Sequence, residues 1–212
     1  MSRSGPSSVE QGSGVFSLPL CYSDNMLEKL TEEIKRYVPF NEEEAADKAL
    51  ILSSLEKEED LLLRINLKEH FTASSWIVSK DRKKVVMIYH RIYDSWAWTG
   101  GHADGEEDLL SVAMREATEE TGLHVTPVSS EIFSLERLSV DGHYKKEKYV
   151  PTHMHLNLTY LLEADENEKP RIKEDENSGA QWFTVEDALS ASTEEWMVEH
   201  IYKKLVARTK EF

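Results

Sequence analysis

The stretch GHADGEEDLLSVAMREATEETGL, residues 101–123, decides how the rest of the sequence is interpreted. It follows directly on Gly100, so two glycines stand together before the charged run. Its apolar residues recur at helical spacing, and Gly122 is a suitable C-cap, which predicts a helix over about residues 106–121. The stretch therefore predicts a loop that leads into an amphipathic helix.

Three glutamates of this helix, Glu116, Glu119 and Glu120, lie three and four residues apart, where like charges repel one another. On a helical wheel they fall on the same side as the apolar Val112, whereas Thr121 falls on the far side. Carboxylates that face the body of a protein need a compensating charge, because an unpaired buried charge is very costly. A hard divalent cation with oxygen ligands would supply that charge.

The spacing of glycine, glutamate and arginine residues resembles the Nudix box of the Nudix hydrolases. The match runs from Gly101 through Glu107 to the segment Arg115–Leu123. The resemblance implies an α/β fold, a Nudix-type mixed β-sheet sandwiched between helices, over about residues 70–205. Two positions depart from the pattern, Thr99 where the family often has proline and Ala117 where it has a larger aliphatic residue, and neither is a ligand.

The resemblance also implies a role for each matching residue. Glu116 and Glu120 are the leading metal ligands, and Glu119 and the carbonyl oxygen of Gly101 complete the set. Arg115 is expected to orient a carboxylate. The implied cation is Mg²⁺, with Mn²⁺ as a substitute.

The implied activity is hydrolysis of a diphosphate linkage in a nucleoside diphosphate derivative. The cation would bridge the diphosphate oxygens and activate the water that attacks phosphorus. Two residues remain open as the general base, Glu119 and Glu176. The alternative is a catalytically inactive Nudix-like nucleotide-binding or regulatory module, which would be expected to have lost a glutamate of the helix. A prenyl diphosphate isomerase on a related fold is disfavoured, because that family uses an active-site cysteine and Cys21 lies far from the box.

A second group of residues predicts contacts with the substrate. His153 and His155 alternate along a predicted strand and so share one face. An isolated H-x-H pair is more often packing or hydrogen bonding than a zinc site, so contact with phosphate or base is the preferred interpretation. Tyr93 and Trp96 are further candidates for stacking, although core packing explains most such aromatic residues. The predicted substrate-binding residues are His70, His90, His102, Trp98, His153 and His155.

Composition limits the choice of partners. Among 212 residues, 40 Asp and Glu against 25 Lys and Arg give a net charge of −15, the wrong sign for holding a nucleic acid duplex. A single cysteine cannot form a disulfide within the chain, and no long apolar run or signal peptide is recognised. We therefore expect a cytoplasmic protein with a small-molecule nucleotide substrate and no membrane partner.

Three segments are predicted along the chain: a flexible tail at 1–17, an N-terminal helical extension at 18–62 and a Nudix hydrolase domain at 63–212. The extension contains two predicted helices, and Asn41 with Glu44 forms an N-cap pair before the second. Their apolar positions need a surface to cover. We expect them to pack beside the substrate mouth of the same chain, and a subunit contact in a homodimer is the alternative. The predicted apolar face of the second helix comprises Ala45, Ala46, Ala49, Leu50, Leu52 and Leu55.

Further elements are predicted on both sides of the central helix. The β-rich runs at 74–79 and 84–90 predict a hairpin, and strands are also expected near 124–128, 131–140, 149–164 and 180–183. Helices are expected at 184–190 and 193–210.

Overall fold

The computed structural model describes residues 24–145, 147–174 and 177–212, without the side chains of residues 24–26 and 145. The predicted tail at 1–17 and Cys21 lie outside this part of the chain. The helices are α1 (Asp24–Arg36), α2 (Glu42–Lys57), α3 (Leu109–Thr121), α4 (Val185–Ala191), α5 (Glu195–Met197) and α6 (Lys203–Thr209), with a π-helical turn at Val198–Tyr202. The strands are β1 (Glu69–Val78), β2 (Lys84–His90), β3 (Ser95–Ala97), β4 (Thr99–His102), β5 (Thr126–Pro127), β6 (Ser134–Val140), β7 (His143–Lys145), β8 (Lys148–Val150), β9 (His153–Glu163) and β10 (Asn177–Thr184).

A mixed sheet of eight strands forms the centre of the fold. Its main order is β10-β2-β1-β9-β5, and β3, β4 and β6 pair with β2, β1 and β9. Strands β1 and β9 are parallel, with His70 opposite His155, and the other pairings are antiparallel. Strands β7 and β8 form a separate hairpin. The predicted mixed sheet with helices is confirmed.

Side chains alternate between the two faces of β1, and each face has its own core. Phe71 and Ala73 are buried in a cluster that includes Leu109 of α3. Trp76 is buried in a second cluster that includes Tyr202 near the C-terminus. Helices therefore cover both faces, as the sequence predicted.

Helices α1 and α2 pack on their own chain. Ile34 of α1 and Ile51 of α2 are fully buried in the cluster that contains Val112 of α3. The side chain of Asn41 accepts a 2.9 Å hydrogen bond from the N–H of Glu44, so the predicted N-cap is present. Whether the chain also forms a homodimer, and where the domain boundary near residue 62 lies, stay predictions.

The predicted apolar face of α2 is wrong at four of its six positions, whereas Leu52 and Leu55 pack against the core as predicted. Leu50 and the three alanines at 45, 46 and 49 are exposed, whereas Glu44, Ile51 and Ser54 are buried. Glu44 can face inward because the ammonium of Lys204, 3.0 Å away, neutralises it. Glu44 is therefore buried although it does not belong to the predicted apolar face.

Three predicted boundaries also differ. Helix α3 begins at Leu109, later than predicted, because Asp108 caps it by accepting a hydrogen bond from the N–H of Ser111. The single strand predicted over 149–164 is divided around Pro151, which has no N–H for a strand ladder. The long C-terminal helix is divided by the π-helical turn. No helix in the described part of the chain is long and apolar enough to cross a membrane.

Candidate functional site

The paired glycines of β4 lie against β1 and α3 at distances that leave no room for a side chain. A Cβ added to Gly100 would lie 2.6 Å from Oγ of Ser74 and 2.8 Å from the carbonyl oxygen of Ala73. A Cβ added to Gly101 would lie 2.4 Å from Cδ of Glu116. Both positions therefore require glycine, because a side chain at Gly100 would collide with β1 and one at Gly101 would collide with the Glu116 carboxylate.

Glu120 lies in the last turn of α3 and is only 4% exposed. Its Oε2 accepts a 3.0 Å hydrogen bond from the N–H of Gly100. The carbonyl oxygen of Glu120 accepts a hydrogen bond from the side chain of the buried Asn177, 2.9 Å away. These contacts fix the end of the helix against β4 and β10, as a precisely placed ligand would require.

Glu116 lies one turn earlier and is also turned toward the paired glycines. Its carboxylate contacts the backbone at Gly101, and its Oε1 lies 3.0 Å from a guanidinium nitrogen of Arg115. This contact agrees with the orienting role predicted for Arg115. The carboxylates of Glu116 and Glu120 therefore both lie beside the paired glycines at the start of the loop.

The prediction that Glu119 faces the body of the domain is wrong, because its side chain is 46% exposed. Lys173, in the segment before β10, holds its Oε2 at 3.0 Å, and Arg115 lies 3.9 Å from its Oε1. Thr121, predicted on the far side, is fully buried. The buried face of α3 is rotated toward residues 117, 120 and 121, which leaves Glu119 at the rim.

A cavity of about 520 Å³ opens beside the Glu120 carboxylate. Glu120, Gly100 and Gly101 form part of its wall, and Asn157 and Thr72 form part of its floor on the central sheet. The predicted residues His90, His102, Trp98 and His155 line it, as do Tyr93 and Tyr202. The described residues that line this cavity include none from α1 or α2, contrary to the expectation that these helices lie beside the mouth.

Two aromatic candidates occupy different surroundings. Tyr93 stacks on His90 with ring centroids 4.4 Å apart and is half exposed at the cavity. Trp96 instead packs edge-on against Tyr89 and Phe183, on the side of the sheet edge where Gly179 leaves room for it. Trp96 is thus explained by packing.

Four of the five predicted histidines, all except His90, come together at one end of the sheet. His70, His153 and His155 have ring centroids 4.9 to 5.1 Å apart, and His102 lies 4.9 Å from His155. Burial, followed by the neighbouring His102 ring, lowers the pKa of His155 to about 2. Burial also lowers the pKa of His70. The rings of His70 and His155 are therefore neutral at pH 7.

Several polar residues of the cavity were not predicted. The amide oxygen of Asn157 accepts hydrogen bonds from the hydroxyls of Thr72 and Ser74, at 3.0 and 2.8 Å. Its amide nitrogen donates to Glu136 at 2.9 Å. The signal available in the sequence was the polar residue in an otherwise apolar strand. Glu176, predicted as a candidate base, lies outside the described residues.

Comparison with known proteins was consistent with this geometry. A family model described as NUDIX domain matches residues 68–206. The chain is 28% identical over 144 residues to the "Probable DHNTP pyrophosphohydrolase" of Lactococcus lactis subsp. cremoris (strain MG1363), covering 68% of this chain and 82% of that protein. The matched range of the family model includes α3 and every strand of the central sheet.

Solved structures with related folds were also found. A C. elegans Ap4A hydrolase in a binary complex is 18% identical, with a TM-score of 0.47, and covers 67% of this chain and 98% of its own. The E. coli dihydroneopterin triphosphate pyrophosphohydrolase is 17% identical, with a TM-score of 0.46, and covers 65% of this chain and 94% of its own.

Proposed function

Because the chain belongs to the NUDIX domain family and is a Nudix hydrolase, we propose that it catalyses divalent-metal-dependent hydrolysis of a diphosphate linkage in a nucleoside diphosphate derivative. The observation that carries the proposal is the position of Glu120. Its carboxylate is almost fully buried, yet it forms part of the wall of a cavity large enough for a nucleotide. A carboxylate in this position is suited to binding a cation that the substrate shares.

The residues present fit a hard divalent cation. Glu116 and Glu120 supply carboxylate oxygens beside the paired glycines, and the carbonyl oxygen of Gly101 is the third donor of the proposed set. Mg²⁺ and Mn²⁺ prefer such oxygen ligands. When bound, the cation would neutralise charge on the diphosphate and make water a better nucleophile.

The protein's own groups hold this arrangement in place. Arg115 binds one oxygen of Glu116, which fixes the direction in which the carboxylate points. The N–H of Gly100 does the same for Glu120. Lys173 draws Glu119 toward the rim, so that Glu119 would join the ligand set only after this ion pair opens.

The general base is either Glu119 or Glu176. Glu119 is near the site and partly exposed, so it can exchange a proton with solvent. The Glu119→Gln and Glu176→Gln variants separate the two. Loss of the base should lower kcat and remove the fall of kcat at low pH, with the apparent affinity for Mg²⁺ unchanged. Loss of a metal ligand should instead weaken Mg²⁺ binding.

The cavity and the relative from Lactococcus lactis indicate which compounds should be tested as substrates. Trp98 and Tyr93 at the cavity favour a substrate with an aromatic ring, such as a nucleobase. The relative from Lactococcus lactis is named for DHNTP, so dihydroneopterin triphosphate belongs in the panel beside nucleoside diphosphate derivatives.

The test is incubation of this panel in ¹⁸O-labelled water with Mg²⁺, Mn²⁺ or EDTA, followed by mass spectrometry. We expect cleavage only with a divalent metal and one ¹⁸O atom in a phosphate product. Binding of a nucleotide without any turnover would contradict the proposal and favour the alternative, an inactive binding or regulatory module. Cleavage that persists in EDTA would contradict the metal requirement.

A further inference from the structure

Three histidines form a cluster at the ends of two paired strands. One ring nitrogen from each of His70, His153 and His155 can be chosen so that all three lie within 4.8 Å of one another. His70 and His153 are buried, and His155 is half-buried on the cavity wall. The carboxylates of α3 are not part of this cluster.

The register of the sheet creates the cluster. Strands β1 and β9 are parallel and place His70 directly opposite His155. His153 precedes His155 by two residues, so both side chains point to the same face of β9. Three imidazoles thus converge on a rigid strand pair, which is a good foundation for a metal site.

Backbone carbonyl groups determine which nitrogen of two rings is free. Nδ1 of His70 lies 3.0 Å from the carbonyl oxygen of Asn66, and Nδ1 of His153 lies 2.8 Å from that of Pro151. A carbonyl oxygen only accepts, so both Nδ1 atoms carry the proton and donate. In the neutral form of each ring the Nε2 atom then carries the lone pair, and metal-binding histidines are commonly oriented by this kind of hydrogen bond.

The Nε2 atoms face one another. Nε2 of His153 and Nε2 of His155 are 3.2 Å apart, close to the roughly 3.3 Å that separates two nitrogens bound at about 2.05 Å to one tetrahedral zinc ion. A hydrogen bond between these two rings would also explain this distance. It does not explain His70, whose Nε2 is buried and has no hydrogen-bond partner among the described residues.

We propose that His70, His153 and His155 bind a divalent transition-metal ion, of which Zn²⁺ fits best, at a site separate from the carboxylate site of α3. Three imidazole nitrogen ligands select zinc, cobalt or nickel over magnesium. The buried Nε2 of His70, whose Nδ1 donates to the Asn66 carbonyl, presents a lone pair rather than an N–H group, which argues against an anion at the same place. The proposal reassigns His70 and His153, which the sequence placed among substrate contacts.

The fourth position of the site points toward the cavity. His155 lines the cavity, and the ring of His102 lies 5.2 Å from that of His70 and 4.9 Å from that of His155. A tetrahedral zinc ion with three protein ligands keeps one position for water or a substrate oxygen. The ring of His102 lies beside the rings of His70 and His155 and also lines the cavity.

The test uses untagged full-length protein, stripped with EDTA and titrated with Zn²⁺ in excess Mg²⁺, which occupies the carboxylate site. We expect about one Zn²⁺ per chain by elemental mass spectrometry. The His70→Gln and His153→Gln variants should lose this ion. The Glu120→Gln variant should keep it, and so should His124→Gln, a matched control in which the histidine is exposed.

Loss of zinc from Glu120→Gln with retention by His70→Gln would overturn the proposal, because the ion would then sit among the carboxylates. No retained zinc in excess Mg²⁺, or equal retention by all variants, would overturn it as well. If a histidine variant does not fold, Co²⁺ added to the wild-type protein decides the matter. Strong visible absorption of a four-coordinate site supports the proposal, and the weak spectrum of an octahedral oxygen site contradicts it.

Discussion

The N–H of Gly100 lies 3.0 Å from Oε2 of Glu120 and donates a hydrogen bond to it, which joins β4 to the last turn of α3 at the cavity wall. Gly100 is a glycine because Ser74 and the Ala73 carbonyl occupy the space of a side chain. The strand can therefore approach the helix closely enough for its backbone to hold the carboxylate. The position of Glu120 thus depends on β1, β4 and α3 together.

Replacement of Glu120 by glutamine is expected to lower turnover by a factor of about 10² or more, because one charged ligand is lost. The amide oxygen of glutamine can still accept the hydrogen bond from Gly100, so the thermal unfolding temperature should change little. Steady-state kinetics at several Mg²⁺ concentrations measure the effect. Glu186→Gln, an exposed glutamate of α4, is the control and should retain wild-type kinetics. Full activity of Glu120→Gln would remove Glu120 from the ligand set.

The contact between Gly101 and Glu116 allows a double-mutant test. The Gly101→Ala variant should lose most activity, because its Cβ would lie 2.4 Å from Cδ of Glu116 and force the carboxylate to move. In a Glu116→Ala background that carboxylate is absent, so the same glycine change should cost much less. Comparison of kcat/KM for the wild-type, single and double variants gives the coupling free energy between positions 101 and 116. Additive losses would show that Gly101 acts independently of Glu116.

The buried ion pair between Glu44 and Lys204 is expected to make stability depend on pH. Burial acts to raise the pKa of Glu44, but the Lys204 ammonium and hydrogen bonds from Phe40 and Tyr37 outweigh it, so this pKa lies below its usual value of 4.5. A carboxyl group with a lowered folded-state pKa stabilises the fold above its unfolded-state pKa. This contribution is lost as the pH falls from about 4.5 through the folded-state pKa.

Glu44→Gln should therefore lower the free energy of unfolding at pH 7 by about 3 kcal/mol, because the Lys204 ammonium loses one of the two buried carboxylates that lie 3.0 Å from it. The difference from wild type should shrink as the pH falls below 4.5, where the wild-type carboxyl also becomes neutral. Urea unfolding across a pH series measures both effects. The exposed Glu42, in the same helix, provides the control variant Glu42→Gln. A difference that does not change with pH would contradict the assignment.

Helix α1 and the segment that follows it offer a matched pair of substitutions, Ile34 in the helix and Val38 beyond its last residue, Arg36. Ile34 is fully buried in the main core, whereas Val38 is 74% exposed. We expect Ile34→Ala to lower the free energy of unfolding by about 2–5 kcal/mol and Val38→Ala to change it by less than about 0.5 kcal/mol. Equal effects in urea unfolding would mean that α1 does not share the core. If the pair behaves as expected, deletion of residues 1–57 should destabilise the whole domain rather than change KM alone.

The sequence predicts well those features that depend on neighbouring residues. The box spacing, the N-cap at Asn41 and the C-cap at Gly122 were all recognisable, because each depends on contacts within a few residues. Strand β2 was predicted with its observed bounds for the same reason, since a continuous β-rich run is a local signal.

Features that depend on distant partners were missed. The sequence does not predict the burial of Glu44, because its partner Lys204 is far away in sequence. It places Glu119 on the inward face, whereas Lys173 from another segment holds this carboxylate at the rim. The histidine cluster depends on the parallel pairing that places His70 opposite His155, and no spacing in the sequence encodes that register. A helical wheel carries no information about charges supplied by other elements.

Trp98 provides a test of how the cavity recognises the ring of the substrate. It lines the cavity and is held edge-on by Tyr202, with ring centroids 5.8 Å apart. We expect Trp98→Leu to raise KM for nucleotide substrates by a factor of up to about ten, with kcat nearly unchanged, because stacking stabilises the ground state and the transition state equally. KM for ribose 5-diphosphate, which has no base, should not change. Trp196→Leu, at an exposed tryptophan, is the control. An equal rise in KM for substrates with and without a base would show that Trp98 shapes the cavity rather than contacts the ring.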